Sequence, residues 1–277
     1  VSTIRKENFK PGVLPSPPDN RDFTIAMACK ALGKEPAKAH PSRVVIDYPG
    51  PVYDQGNVGA CVAYTLAEER RTSEYRQRGV LEHFSSGFIY FNRYWSFYRG
   101  EGMVTRDALD SLRYDGAVLQ SDFPYIDHYS NMTEEQKELV DKLREKASKP
   151  YRISSYFKLN NPGENLVNNV KEAIMSGMLV VITLDVYESF FNVGKDGIVK
   201  IPDTKKEKNY GGHAMLVFGA DDNLGKSGSF IGLNHWGEDW GDKGKCYFPY
   251  DYQFKEVWAL SDQIDANLVK LQQIYED

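Results

Sequence analysis

The chain has 277 residues, enough for one large domain or for two lobes that share a core. Its net charge of −5 leaves no basic stripe for nucleic acid, and no apolar run approaches the roughly 18 residues that span a bilayer. With 41% hydrophobic, 26% charged and 13% aromatic residues, it reads as a soluble globular protein with much β-structure or an aromatic-lined cleft.

Residues 1–45 hold Pro11, Pro15, Pro17, Pro18, Pro36 and Pro41, nearly half of the 13 prolines. Such a stretch favours extended or turn backbone, with one helical turn near 25–32. It reads as an arm, either a strap draped over the folded body or a pro-segment lying in a cleft. From residue 46 the texture changes. Asp54-Gln55-Gly56-Asn57-Val58-Gly59-Ala60 is rich in turn residues and leads into Cys61. Ala63, Leu66 and Ala67 then recur at helical spacing, predicting a helix to Arg78 with Gly79 as a left-handed cap. Further helical segments are expected at 84–98 and 106–114. Thr133 and Gln136 form a capping-box pattern before a polar helix over 133–147.

Beyond residue 150, short runs rich in β-branched and aromatic residues predict strands at 152–159, 179–186, 197–201, 213–220, 229–234 and 245–249. A helix over 163–176, ended by Gly177, interrupts them. An amphipathic helix over 261–275, with Ile264, Leu268, Leu271 and Ile274 on one side, is expected to pack on the body. The fold class is α+β, a helical lobe over about 46–150 and a β-rich lobe over about 151–255.

The three cysteines, Cys29, Cys61 and Cys246, are far apart and form no CxxC pair. This argues against a disulfide framework or zinc knuckle and leaves one possible bridge, Cys29 to Cys246. No metal site and no cofactor are expected. Val1 is not followed by a charged and then an apolar region, so the chain either has no signal peptide or starts after one. The compartment stays open between export without disulfides and the cytoplasm.

A thiolate is the nucleophilic form of cysteine, and the first turn of a helix favours that charge. Cys61 follows a glycine-rich turn and opens a predicted helix. A thiol nucleophile also needs a histidine and a group to orient it. Gly211-Gly212-His213-Ala214 places a histidine at the start of an apolar strand, a setting that His40, His83, His128 and His235 lack. Asn234 at a strand end can accept from the imidazole, and Trp236 can shield that bond.

Taken together, Gln55-Gly56-x-x-Gly59-x-Cys61, Gly212-His213-Ala214 and Asn234-x-Trp236-Gly237-x-x-Trp240-Gly241-x-x-Gly244 resemble the papain-like cysteine peptidases over roughly 45–250. Phe84-Ser85 and Asp122-Phe123-Pro124-Tyr125 are similar to landmarks of that family. The resemblance implies a two-lobed papain-like fold, with a β-barrel-like second lobe and the active cleft between the lobes. It implies a thiol protease acting on protein or peptide substrates, a monomer with neither nucleic-acid nor membrane partners. By resemblance Cys61 is the nucleophile, His213 its proton partner, Asn234 the group that orients His213, and Gln55 an oxyanion donor. Trp236 would cover the His213–Asn234 bond, while Gly100, Gly102 and Gly212 would lie along the substrate.

The sequence departs from the family at Val58 and Val62, where a cysteine and a tryptophan are usual. It also has His235 in place of the usual serine, for which a surface position is expected, and Gly212 before the histidine. Glu101 breaks the usual adjacent glycine pair, and the family's long helical pro-region is not recognisable in residues 1–45. These departures keep open a weakly catalytic relative that serves as a peptide-binding or regulatory module. Transpeptidation through the same acyl-enzyme is a further alternative. The low cysteine count and the arm suggest a bacterial or viral member.

Overall fold

The 18-residue helix Cys61–Arg78 (α2 below) buries every residue from Cys61 to Glu74, so it is the core element on which the fold is built. It ends at Gly79, whose φ of 70° suits a residue without Cβ. The computed structural model describes residues 6–20, 22–31, 37, 39–93, 100–124, 133–147 and 149–262. In chain order the elements are β1 (Val13–Leu14), α1 (Ile25–Ala31), β2 (Arg43–Val45), α2 (Cys61–Arg78), α3 (Ser86–Asn92), β3 (Met103–Val104), α4 (Thr105–Tyr114) and α5 (Glu134–Lys146). They continue with β4 (Ser155–Lys158), α6 (Leu166–Met175), β5 (Leu179–Tyr187), β6 (Asn209–Asp221), β7 (Ser229–Leu233), β8 (Lys245–Pro249) and β9 (Glu256–Ser261).

The second half is an antiparallel sheet in the order β4-β9-β5-β6-β7-β8, with β2 added beside β6. The β5 sequence Leu-Val-Val-Ile-Thr-Leu is buried without alternation because α2 and α6 both pack on β5 and β6. The helical part is held by specific polar bonds. Ser85 caps α3 by accepting from Phe88 N at 2.9 Å, and its hydroxyl donates to Phe123 O at 2.5 Å. Thr133 and Gln136 complete the expected capping box on α5. Buried Arg70 on α2 pairs with Glu69 at 2.7 Å and with Asp262 at the end of β9, joining the two parts.

Several expectations are revised. The sheet is open, with β4 and β8 at its ends, rather than closed like a barrel. Residues 197–201 make a single bridge, Ile198 to Tyr247, and no strand. The interior strand β9, between β4 and β5, and the added strand β2 were not anticipated: β9 is paired with strands distant in the sequence, and β2 finds its partner 178 residues away. The three cysteines are free thiols, so Cys29 and Cys246 are not bridged. Of the helix expected at 84–98, Ser86–Asn92 is α-helical, and 94–98 lie outside the described residues. The helix expected at 261–275 lies outside the described residues apart from Ser261 and Asp262, which belong to β9 and its end. Among the described residues no helix is long and apolar enough to cross a membrane.

The segment before residue 46 divides in two. Phe23, Ile25 and Ala28 are buried, with Thr24 bridged to Lys158 of β4, so this stretch is anchored in the core. Residues 6–20 instead run between the helical part and the sheet, where β1 pairs in parallel with β3.

Candidate active site

Cys61 is the first residue of α2, where backbone N–H groups have no partner within the helix. The loop before it is tied to the opposite part of the molecule. Gln55 N donates to His235 O at 2.9 Å, Gly237 N donates to Tyr53 O at 3.0 Å, and Asp54 bridges Trp236. The Cys61 thiol is fully buried, and loss of water pushes its pKa up to about 12. The backbone amides of Ala214, Val62 and Gly12 oppose this rise. The Ala214 amide places the sulfur beside the strand that carries His213.

His213 sits on β6 with Nε2 2.9 Å from Asn234 Oδ1. That oxygen also accepts from His235 N at 3.0 Å, which identifies it as the carbonyl end of the side chain. Nε2 therefore carries the proton, and Nδ1 is left with a lone pair, as a general base requires. Nδ1 is buried and has no hydrogen-bond partner among the described residues. Burial lowers the His213 pKa to about 4, with the Asn234 bond acting the other way. The Trp236 ring lies 5.0 Å from the imidazole. It is walled in turn by Phe190 and Phe191, at 5.5 and 5.4 Å.

His235, expected at the surface, is fully buried because its ring points back under His213, 5.1 Å away. Its Nε2 lies 3.0 Å from Ala214 O, an acceptor only, and so bears the proton. The same nitrogen is 3.2 Å from Thr65 Oγ1, which donates to Cys61 O at 2.9 Å. This chain of bonds links the helix of Cys61 to the strand of His213. Replacing Thr65 with valine should lower stability by about 1–2 kcal/mol in urea unfolding, because it leaves a buried donor and acceptor underused. A change within experimental error would mean the network contributes nothing.

The arm lies over this group. Gly12 N donates to Gly212 O at 3.1 Å, and Met103 N donates to Gly12 O at 2.9 Å, so one residue is held from both walls. A Cβ on Gly12 would fall 2.7 Å from Cys61 Sγ and 2.6 Å from Gly59 O. Phe9 packs edge-on against His213 at 5.9 Å and Trp236 at 5.6 Å. The glycines divide. Gly212 faces the arm, since a Cβ there would meet Val13 at 2.9 Å. Gly102 touches the arm, but its N–H is taken by Tyr90 Oη at 3.0 Å and its carbonyl by Arg93 at 2.8 Å. Met103 N does the backbone pairing expected of Gly102, and Gly100 faces open space. Gln55 is buried, with its side-chain amide donating to Val58 O at 2.7 Å. Sequence reasoning missed Phe9, Gly12, Thr65 and Met103, none of which belongs to a motif.

A helix-terminal thiol beside the strand that carries an oriented imidazole, at the meeting of a helical and a β part, suits a thiol-dependent hydrolase. The sequence pattern of the papain family of cysteine proteases matches residues 47–258, and the chain belongs to that family. It is a thiol protease, and its substrates are peptides or proteins. An uncharacterized peptidase C1-like protein of Acanthamoeba polyphaga mimivirus is 28% identical over 300 residues, covering 96% of this chain and 90% of its own. Among solved structures the fold is similar to xylellain, a cysteine protease from Xylella fastidiosa, with a TM-score of 0.75 and 24% identity over 94% of this chain and 98% of the other. It is also similar to digestive procathepsin L 3 of the Tenebrio molitor larval midgut, with a TM-score of 0.60 and 19% identity over 81% and 71% of the two chains.

Proposed function

We propose that Cys61 is the nucleophile of this peptidase, His213 its proton partner, Asn234 the group that orients His213 and Gln55 a donor to the oxyanion, and that residues 6–20 hold the cleft closed. The observation that carries this reading is Gly12, hydrogen-bonded to both walls with its amide against the sulfur. The occupied site is dry, so burial keeps thiol and imidazole neutral. The arm is not itself a substrate: the Gly12 N–H goes to Gly212 O, and Met103 takes the Gly12 carbonyl.

Once the arm leaves, water returns and both pKa values relax toward their ordinary range. The Cys61 proton passes to His213 Nδ1, giving thiolate and imidazolium. The thiolate adds to the scissile carbonyl carbon, and the carbonyl electron pair moves to oxygen, facing the Gln55 amide and the Cys61 N–H. Collapse breaks the C–N bond, and the amine leaves with the proton from His213. Water then attacks the thioester with His213 as base, expelling the Cys61 thiolate and the acid product. Trp236 keeps water from the His213–Asn234 bond throughout.

A quenched fluorescent peptide library tests this on the full chain under reducing conditions. Turnover is expected from Gly12→Val, whose side chain has no room beside Cys61, and none from the same chain carrying Cys61→Ala. Silence from Gly12→Val while its Cys61 alkylates readily would reject catalysis and leave a peptide-binding module.

A further inference from the structure

We propose that Glu101 makes this peptidase select substrates with a lysine or arginine side chain beside the scissile bond, a specificity that rests on the arm occupying the substrate's place. Glu101 stands two residues before Met103, whose N–H holds the Gly12 carbonyl over Cys61. One carboxylate oxygen accepts from Gly59 N at 3.3 Å, two residues ahead of the nucleophile. The other lies 2.7 Å from Lys10 Nζ, two residues before Gly12 on the arm.

The Gly59 bond fixes the carboxylate whether or not the arm is present. When the arm leaves, Lys10 leaves with it, and the second oxygen is exposed on the cleft wall with its acceptor sites open. A long basic side chain from a substrate residue next to the cleaved bond restores the ion pair. A neutral side chain of the same length does not. The other carboxylates that hold the arm meet it farther from Gly12: Glu188 pairs with Lys6, and Glu256 accepts from Ser16 N and Oγ at 2.9 and 2.8 Å and keeps the indole of Trp258 at 2.9 Å. The charge match is therefore assigned to Glu101. Because Glu101 and Lys10 are both partly solvated, the preference is moderate, about five- to tenfold.

Two measurements on the full chain test this. In Gly12→Val, peptides differing only in lysine or norleucine beside the scissile bond should differ about five- to tenfold in kcat/KM, mainly through KM. Adding Glu101→Gln, which keeps the Gly59 bond, should bring that ratio to about one. An equal ratio in both variants overturns the proposal. The second measurement needs no turnover: iodoacetamide labelling of Cys61 in the native chain, Lys10→Gln, Glu101→Gln and the double variant. Each single change should speed labelling by the same few-fold factor, with no further gain in the double variant and with loss of the effect in high salt. Additive or absent effects would overturn the proposal. A chain that cleaves neither peptide fails the catalytic reading of Cys61, and the labelling cycle then decides alone whether Glu101 grips a lysine there.

Discussion

Gly12→Val is expected to raise the rate at which iodoacetamide labels Cys61 by about 10²–10³ at neutral pH. Only the thiolate reacts, and burial, to which the arm contributes, lifts the Cys61 pKa to about 12 and so cuts the thiolate fraction by orders of magnitude. A Cβ at residue 12 would sit 2.6 Å from a backbone oxygen and 2.7 Å from the sulfur. The oxygen belongs to the loop that leads into α2 and cannot yield, so the valine must lift the arm. The arm's other holds near Gly12, Phe9 on Trp236, Lys10 on Glu101 and the two-residue pairing of β1 with β3, are each weaker than the clash of a Cβ with a backbone oxygen. Phe9→Ala should act in the same direction more weakly, since it removes ring contacts and leaves Gly12 in place. Intact-mass kinetics with no acceleration in Gly12→Val would show that the arm is not the barrier.

Acid should destabilise the protein between pH 6.5 and 4, and the effect should be largest in Glu68→Gln. Burial lowers His213 from 6.5 to about 4 and drives His235 well below 6.5, with the nearby His213 acting in the same direction. The side chains facing this pair from the arm, α2, the 190–191 turn and the 234–236 segment are Phe9, Cys61, Tyr64, Thr65, Phe190, Asn234 and Trp236, none of them a carboxylate. Below pH 6.5 the unfolded chain takes up protons that the folded chain refuses. Stability is therefore complete above 6.5 and falls as pH drops toward the folded values. At about 1.4 kcal/mol per pH unit, His213 alone accounts for about 3 kcal/mol by pH 4.

Glu68 works in the opposite sense. Its buried carboxyl has a raised pKa, so its contribution is complete below 4.5 and is lost as pH rises through the folded value. Glu69 and Glu74 are also raised by burial, but Arg70 draws them back. In the wild type Glu68 thus masks part of the histidine effect, and Glu68→Gln removes the mask. Urea unfolding at half-unit pH steps reads this directly. A flat curve for Glu68→Gln between 6.5 and 4 would mean that the two imidazoles are solvated and the cleft is not dry.

The catalytic group was legible because its chemistry is local. A turn, a thiol and a helix start lie within Gln55–Cys61, and Asn234 is separated from Trp236 by one residue, so residue type and spacing alone describe them. His235 was visible as a departure, but its direction was not: whether its ring faces water or Thr65 depends on α2, 170 residues earlier in the chain. Gly102 and Met103 show the same limit. Either N–H could have met an extended chain, and the Tyr90 hydroxyl and Arg93 decide by engaging Gly102 first.

By itself the sequence determined the family, the helical and β halves, and the residues able to carry out thiol chemistry, because these follow from periodicity and from short motifs. Only the tertiary structure decided where the proline-rich arm goes, that β9 lies between β4 and β5, and that burial pushes Cys61 and His213 toward their neutral forms. Those outcomes depend on contacts between segments far apart in sequence and on the exclusion of water when the segments meet, and neither leaves a local pattern to read.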